Sequence, residues 1–132
     1  MMNMQFRRVL AIGMAGVWVN ASEFFRNEIL LKTYWVDHYR AAGMLFPSGP
    51  LNGVVWIVWG FLFATAIYFL TRRFNWIQSA LLIWLMAFVL MWLVIFNLNV
   101  LPAPILVFTV PLSLLESFLG SYICIRISPN AL

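Results

Sequence analysis

Long apolar runs constrain the fold of this chain more than any motif does. Three of them cover residues 51–71, 75–96 and 104–126, and Glu116 is the one charged residue inside them before the terminal Arg126. Each run is about 20 residues long, which as a helix crosses the roughly 30 Å of hydrocarbon in a bilayer. The sequence therefore predicts an all-α integral membrane protein.

The composition and charge agree with this class and argue against others. Of the 132 residues, 64% are hydrophobic and 9% are charged, a usage far from that of soluble domains. The net charge of +4 does not indicate a nucleic-acid partner, because the basic residues stand in ones and twos at the ends of apolar runs. Residues 1–132 are expected to form a single transmembrane domain in the lipid bilayer, without room for a soluble catalytic domain.

The first apolar segment is harder to interpret, because residues 9–19 alone are too few to cross a bilayer. In one interpretation residues 1–21 act as a signal peptide with a cleavage site at Val19-Asn20-Ala21. In a second, the helix ends at Asn20, which caps an amphipathic surface helix with Glu23 at its third position. The favoured interpretation is one continuous helix over about residues 6–31.

Residue spacing favours the continuous helix. Small and polar residues recur at steps of three and four and so share one face of it, namely Gly13, Gly16, Asn20, Glu23 and Asn27. The opposite faces carry Val17, Trp18, Phe24, Phe25 and Leu31. Because small residues admit a close neighbour and polar ones bond across the contact, the polar side is expected to face inward. The predicted fold is then a four-transmembrane-helix bundle, with helices over about residues 6–31, 51–71, 75–96 and 104–126.

The segment between the first and second spans is predicted to contain a short interfacial helix over residues 32–45. Its aromatic residues are those expected at the level of the lipid headgroups, namely Tyr34, Trp35 and Tyr39. Glu28 and Lys32, four residues apart in the favourable acid-first order, are expected to pair where the first helix ends.

Arginine positions predict the orientation. With four spans, the clustered arginines all fall on one side of the membrane, namely Arg7, Arg8, Arg72, Arg73 and Arg126. Since basic residues accumulate in cytoplasmic loops, both termini are expected in the cytoplasm, in a multi-pass protein of a membrane such as the bacterial inner membrane.

Glu116 is the strongest single indication of a site. It lies near the middle of the last span, where an ionisable group costs roughly 2.5 kcal/mol or more and usually faces a partner or water. A second small and polar stripe passes through it on the same helix face, made of Ser113, Glu116, Ser117, Gly120 and Cys124.

These two stripes predict a buried polar cluster in the extracytoplasmic half of the bundle. Its candidate members are Asn20, Glu23, Arg26, Asn27 and Glu116. Side chains of the first helix lean toward its N-terminus, so Arg26 is within reach of both Glu23 and Glu116. Weaker candidates at the same end of the bundle are Asn52, Asn97, Asn99 and His38. Polar contacts that only hold helices together are the alternative interpretation of the asparagines.

The sequence contains no motif that indicates an enzyme. It has no phosphate-binding glycine loop, no HExxH and no nucleophile elbow. His38 is the single histidine and Cys124 the single cysteine, which makes a metal site at His38 and Asp37 a weak interpretation and excludes an internal disulfide. No cofactor and no metal are predicted.

In its length, its predicted spans and the acid Glu23 in the first helix, the chain resembles in outline the small multidrug-resistance transporters. The resemblance implies an antiparallel dimer in which the acid couples proton and cation binding. None of that family's sequence motifs is present, Arg26 would oppose a bound cation, and the one-sided arginines favour a single orientation.

Two functions are compatible with these patterns. The favoured one is a structural or accessory subunit, or an assembly protein, docked within a larger membrane complex or a homo-oligomer. The alternative is a proton- or ion-linked transporter or channel for small molecules that uses Glu116 and Glu23. A permeation path would need polar groups through the cytoplasmic half, where Gly, Ala, Leu, Ile and Phe are expected instead. The small residues Gly60 and Ala64, four apart on the second span, are compatible with a helix contact within one chain and equally with one between two chains.

Overall fold

The protein is helical, with long helices joined by short turns. The computed structural model describes residues 1–130, of which 82% are helical and none is in a strand. The predicted domain reaches residue 132, so its last two residues lie outside the described part. The helices are α1 (Met4–Phe24), α2 (Lys32–Ala41), α3 (Pro50–Thr71), α4 (Trp76–Trp84), α5 (Leu90–Asn97) and α6 (Leu106–Ile127).

The first helix runs through Asn20 without a break. Asn3 caps its start, accepting a hydrogen bond from the Phe6 N–H at 2.7 Å. After Phe24 the chain continues directly into a π-helical segment, Phe25–Leu30. Asn20 therefore lies inside a helix, and the interpretation that places a helix break and an N-cap there is wrong.

Three helices are long and apolar enough to cross a membrane, namely Pro50–Thr71, Trp76–Asn97 and Ala103–Ile127. The second of these consists of α4, a π-helical segment Leu85–Val89 and α5, and the third begins with a short 3-10 turn, Ala103–Ile105. The bounds lie within a few residues of the predicted spans. Since α1 carries several charged and polar residues, it is not among the three.

The long helices pack against one another around an apolar core. Helix α1 contacts α3 and α6, while α6 also contacts α3 and α4. The buried core side chains include Ala11, Ala15, Val19, Phe63, Ala64, Ile67, Phe88 and Cys124. Gly16 and Asn20 of the α1 stripe face α3, while Gly120 of the α6 stripe faces Trp18 and Val19 of α1 and Ile67 of α3.

Glycines allow the close approach of α1 and α3. A Cβ atom on Gly60 would lie 2.6 Å from Asn20 Nδ2, and one on Gly16 would overlap the ring of Phe61. Ala64 is fully buried. Gly60 and Ala64 thus serve a contact within the chain, which answers the question left open by their spacing.

A short helix is present between the first two long helices, as predicted, but it ends at Ala41 instead of residue 45. Gly43 adopts a φ of 72°, a left-handed conformation that ends helices readily at glycine. The chain then runs without helix to Gly49, and we name residues 42–49 the strap. The Glu28 to Lys32 pair forms at the start of this region, with 2.7 Å between Oε2 and Nζ.

The bundle has two distinct ends. At one end, Arg72 in the turn between α3 and α4 donates to the Ser128 carbonyl oxygen and to the Pro129 carbonyl oxygen, the latter at 3.3 Å. At the other end, α2 and the strap cover the entry to α3. We refer to these as the Arg72 end and the α2 end.

Candidate functional site

The centre of the polar cluster is an arginine between two carboxylates. Arg26 lies in the π-helical segment that follows α1, and its Nη2 forms an ion pair with Glu23 Oε1. Its Nη1 lies 3.6 Å from Glu116 Oε2 on α6. The Arg26 side chain is 4% exposed and that of Glu116 is 0% exposed. The cluster thus joins the first and last helices with two acids and one base away from solvent.

Asn27 connects this cluster to α2. Its Nδ2 donates to Glu23 Oε2 at 2.9 Å, and its Oδ1 accepts from the indole N–H of Trp35 at 3.2 Å. Each of the two carboxylate oxygens of Glu23 therefore has a donor, a guanidinium for one and an amide for the other. Glu23 is therefore the well-satisfied acid of the pair.

Glu116 is the poorly satisfied acid. Neither of its carboxylate oxygens has a hydrogen-bond partner among the described residues, its salt-bridge distance to Arg26 Nη1 is 3.6 Å, and the Glu23 carboxylate lies beside it. Its backbone carbonyl accepts from the indole N–H of Trp18 at 3.0 Å. Trp18 therefore packs toward α6, and its predicted place on the opposite faces of the first helix is wrong.

An aromatic ring completes the surroundings of Arg26. The guanidinium carbon lies 5.1 Å from the centre of the Phe88 ring, a cation–π distance. Phe88 is buried in the π-helical segment Leu85–Val89, which interrupts the third long helix. π-helical turns are rare and frequent at functional sites, and two of them bring Arg26 and Phe88 together here. The sequence carried no periodicity that predicts either segment.

Asn20 belongs to the edge of the cluster. Its Nδ2 donates to the Gly16 carbonyl oxygen at 2.9 Å and reaches the Ile57 carbonyl oxygen at 3.5 Å. The Asn20 side chain forms no hydrogen bond with a charged side chain of the cluster. It does line the same cavity as Glu23 and Asn27. Of the predicted members, the structure brings Glu23, Arg26, Asn27 and Glu116 into one network and leaves Asn20 beside it.

The weaker candidates lie outside this network. Asn52 accepts from the Gly49 N–H at 3.1 Å at the start of α3, and it lines two cavities. Asn97 is exposed at the end of α5. Asn99 has a left-handed φ of 59°, and its carbonyl oxygen accepts from His38 Nε2 at 2.7 Å. His38 thus attaches α2 to the turn after α5, and the described residues include no group of three potential metal ligands.

Buried hydroxyl groups lie on both sides of Glu116 along α6 and continue toward the Arg72 end. On α6 they belong to Ser113, Ser117 and Ser121, and on neighbouring elements to Thr71 and Ser79. Trp84 donates to Ser113 Oγ at 2.9 Å. The hydroxyls of Ser117 and Ser121 have no hydrogen-bond partner within the described chain. The expectation of only Gly, Ala, Leu, Ile and Phe in this half is therefore wrong, because Ser117 of the predicted stripe and Ser121 one turn further are both buried there.

Two cavities lie beside the cluster at the α2 end. The outer cavity has a volume of about 650 Å³ and lies between α1 and α3 under the strap. The inner cavity, of about 280 Å³, reaches Arg26 and Thr109. Residues common to both include Glu23, Asn27, Phe46, Pro47, Asn52 and Trp56. The outer volume falls in the range of small-molecule sites.

Comparison with known proteins gives no family assignment. No protein-family model, no curated protein and no solved structure matches the chain.

Proposed function

We propose that α1 and its π-helical extension form a fourth membrane span, so that the protein is a four-span helix bundle. Together they cover Met4–Leu30, a length of about 40 Å. The buried charged residues of this helix, Glu23 and Arg26, turn toward α6. Between Arg8 and Glu28, which are exposed near its two ends, its exposed large side chains are apolar, namely Val9, Met14, Val17, Phe24 and Phe25. A helix with hydrocarbon outside and polar groups inside is compatible with lipid.

We assign the Arg72 end to the cytoplasm. Arg8 lies with its guanidinium carbon 5.3 Å from the Phe69 ring, so the arginines near the start of α1 and the end of α3 gather at one end. Basic residues accumulate on the cytoplasmic side of membrane proteins. Both termini then lie in the cytoplasm, and a bacterial inner membrane is the matching location.

The function that the geometry supports best is that of a structural or accessory subunit, or an assembly protein. The observation that carries this proposal is Arg26 between Glu23 and Glu116, an ionic contact that joins the first helix to the last. The Trp18 and Trp84 indoles add hydrogen bonds to α6, and interhelical hydrogen bonds contribute on the order of 1 kcal/mol each in membranes. The contacts of Arg26, Trp18 and Trp84 therefore support packing of α1 and α4 against α6.

The partner in this proposal is a larger membrane complex or another copy of the chain, within the lipid bilayer. The test is purification of the tagged chain from its native membranes in mild detergent, followed by native mass spectrometry. A heteromeric complex of fixed stoichiometry, recovered in repeated preparations and at endogenous expression, is the expected result. A chain that runs alone or as a lone dimer would contradict the accessory role.

A second candidate function is proton- or ion-linked transport through Glu116 and Glu23. Two observations favour it: the carboxylate of Glu116 lacks hydrogen-bond partners within the described chain, and so do the Ser117 and Ser121 hydroxyls on the way to the Arg72 end. The cluster also contains one more acid than base, so the binding of one proton would balance its charges.

Proton flux into liposomes that carry a trapped pH dye tests this second function. Glu116→Gln removes the unsatisfied acid, while Glu28→Gln removes an acid that is paired with Lys32 near the surface. Flux that disappears with Glu116→Gln and persists with Glu28→Gln supports transport. Equal flux from both variants and from empty liposomes eliminates it.

A further inference from the structure

The two adjoining cavities have the construction of a binding site that packing alone does not require. They meet between Phe46 and Pro47 of the strap and Asn52 and Trp56 of α3, which line both. Phe46 is held by aromatic contacts with Trp35 and Tyr39 of α2, at ring-centre distances of 6.3 and 5.3 Å. The strap residue that borders both cavities is thus packed against α2.

The inner cavity contains buried donors without acceptors. Arg26 and Thr109 both line it, at 4% and 2% exposure. Arg26 Nη1 and Thr109 Oγ1 have no hydrogen-bond partner among the described residues. A buried polar group left without a partner costs about 1–3 kcal/mol. An acceptor oxygen of a ligand would satisfy either of these groups.

The remaining walls of the inner cavity suit a flat or apolar group. They are largely aromatic and aliphatic, formed by Trp35, Trp56, Met91, Trp92, Ile95 and Ile105. Aromatic walls with a few placed polar groups are typical of small-molecule sites. The head of the ligand is therefore expected to be compact, with its acceptor oxygen on the Arg26 and Thr109 side.

The outer cavity is bounded by side chains suited to hydrocarbon. Phe24 of α1 and Ile57 of α3 line it, and they are 60% and 53% exposed. Ala21 and Gly53, also lining residues, are small and exposed between the two helices. An apolar tail can leave the cavity between α1 and α3 and reach the leaflet at the α2 end.

Charge argues for an uncharged head. The acids and bases that face the cavities are Glu23, Glu28, Arg26 and Lys32, with Glu116 behind Arg26. Glu28 is paired with Lys32, and Arg26 is shared by Glu23 and Glu116. No base remains free to neutralise an anion at these positions, and Arg26 opposes a cation.

We propose that the two cavities bind an uncharged membrane amphiphile whose head carries a carbonyl oxygen. Arg26 and Thr109 donate to that oxygen, the aromatic side chains enclose the head, and the tail passes between α1 and α3 into the leaflet. A long-chain quinone and a diacylglycerol share this chemistry. The inference stands independently of the accessory or transport role proposed above.

The test is tryptophan quenching by ligands titrated into the purified chain in nanodiscs, since Trp35, Trp56 and Trp92 line the cavities. The probes are a decyl-substituted quinone and a diacylglycerol with brominated chains, both of which quench at contact. Saturable quenching by at least one of them is expected, and the probe that saturates identifies the source of the ligand. Absence of saturation with both would refute the proposal.

Matched variants test whether the quenching arises from ligand bound in the cavities. Thr109→Val removes the inner hydroxyl without a large change of volume, and the loss of one hydrogen bond should weaken binding about 5-fold. Thr65→Val is its control, because the Thr65 hydroxyl is exposed and donates to the Phe61 carbonyl oxygen outside both cavities. Equal affinities for these two variants would contradict the assigned role of Thr109.

A second pair of variants tests the outer cavity. Gly53→Leu places a side chain in it, and Gly13→Leu places the same side chain on α1 outside both cavities. A Cβ atom at either position meets nothing within 4 Å, so both variants are expected to fold. Binding should fall by at least tenfold for Gly53→Leu only. A quaternary-ammonium or phosphate amphiphile that competes as well as the uncharged probes would overturn the assignment of an uncharged head.

Discussion

Arg26 Nη1 and Glu116 Oε2 lie 3.6 Å apart, and this ion pair joins the beginning of the chain to its last helix. Both side chains are almost completely buried. Removal of one partner of a buried ion pair leaves the other charge buried at a high cost, so the contact favours this position of α1 against α6. The predictions below follow from this contact and from the packing around it.

Loss of Arg26 should destabilise the protein strongly. Arg26→Ala leaves two buried carboxylates without their shared cation, and breaking a buried pair in this way costs about 3–5 kcal/mol. Arg40→Ala is the matched control, because Arg40 forms an exposed pair with Asp37 at the same spacing of three residues. That pair should contribute about 0–1 kcal/mol. Unfolding in mixtures of SDS and mild detergent measures both free energies, and similar values would contradict a buried ionic centre.

Glu116 should tolerate an amide better than a truncation. Glu116→Gln keeps the volume and leaves one acid for the single base, whereas Glu116→Ala adds a cavity to the lost contact. We expect Glu116→Ala to lower the free energy of unfolding by about 2–4 kcal/mol more than Glu116→Gln does. The same SDS titration decides this, and a glutamine variant that is less stable than the alanine variant would be inconsistent with the charge balance described here.

Because α1 and α3 approach closely at Gly60, substitution of Gly60 should destabilise the protein. A Cβ atom on Gly60 would lie 2.6 Å from Asn20 Nδ2, so Gly60→Ala overpacks the contact at a cost of about 1–3 kcal/mol. Gly53 lies in the same helix with nothing within 4 Å of its Cβ position, and Gly53→Ala should stabilise by about 0.5–1 kcal/mol. Thermal melts in detergent compare the two variants, and opposite signs of the shift are the expected result.

Arg72 should protect the end of α6, where backbone carbonyls have no partners in the helix. Its guanidinium contacts the Ser128 and Pro129 carbonyl oxygens and lies 4.7 Å from the Tyr68 ring. Arg72→Ala should raise amide exchange at Ser128 about tenfold, which corresponds to about 1.4 kcal/mol. Arg73→Ala removes an equal charge from the same turn without these contacts. Hydrogen exchange measured by mass spectrometry checks this. Equally fast exchange at Ser128 in Arg72→Ala and Arg73→Ala would refute this role of Arg72.

The proposed four-span topology predicts on which side of the membrane single cysteines are labelled. In a Cys124→Ser background, Met2→Cys and Phe74→Cys should react with an impermeant maleimide only after the membrane is opened. Ser48→Cys, in the strap, should react in intact cells or spheroplasts. If residue 2 reacts on the same side as residue 48, the first helix does not cross the membrane and the proposed orientation must be revised.

Sequence alone determined those features that depend on local hydropathy and helical spacing. Three apolar runs of about 20 residues predicted the three helices that are long enough to cross a membrane. The high free energy of a charged side chain in hydrocarbon identified Glu116 as a candidate site residue. The spacing of Gly16, Asn20 and Glu23 gave the inward face of α1. Helix geometry also predicted that Arg26 contacts Glu23 and Glu116, because helical side chains lean toward the N-terminus.

Tertiary structure alone decided how these helices approach one another. The π-helical turns that place Arg26 over Phe88 arise where packing stabilises an extra residue in a helix, and no periodicity in the sequence marks that residue. The bond from His38 to Asn99 and the cavities under the strap join segments that are distant in the chain. Hydropathy sums over neighbours along the chain, whereas these contacts depend on the positions of several helices at once, and so only the folded bundle defines them.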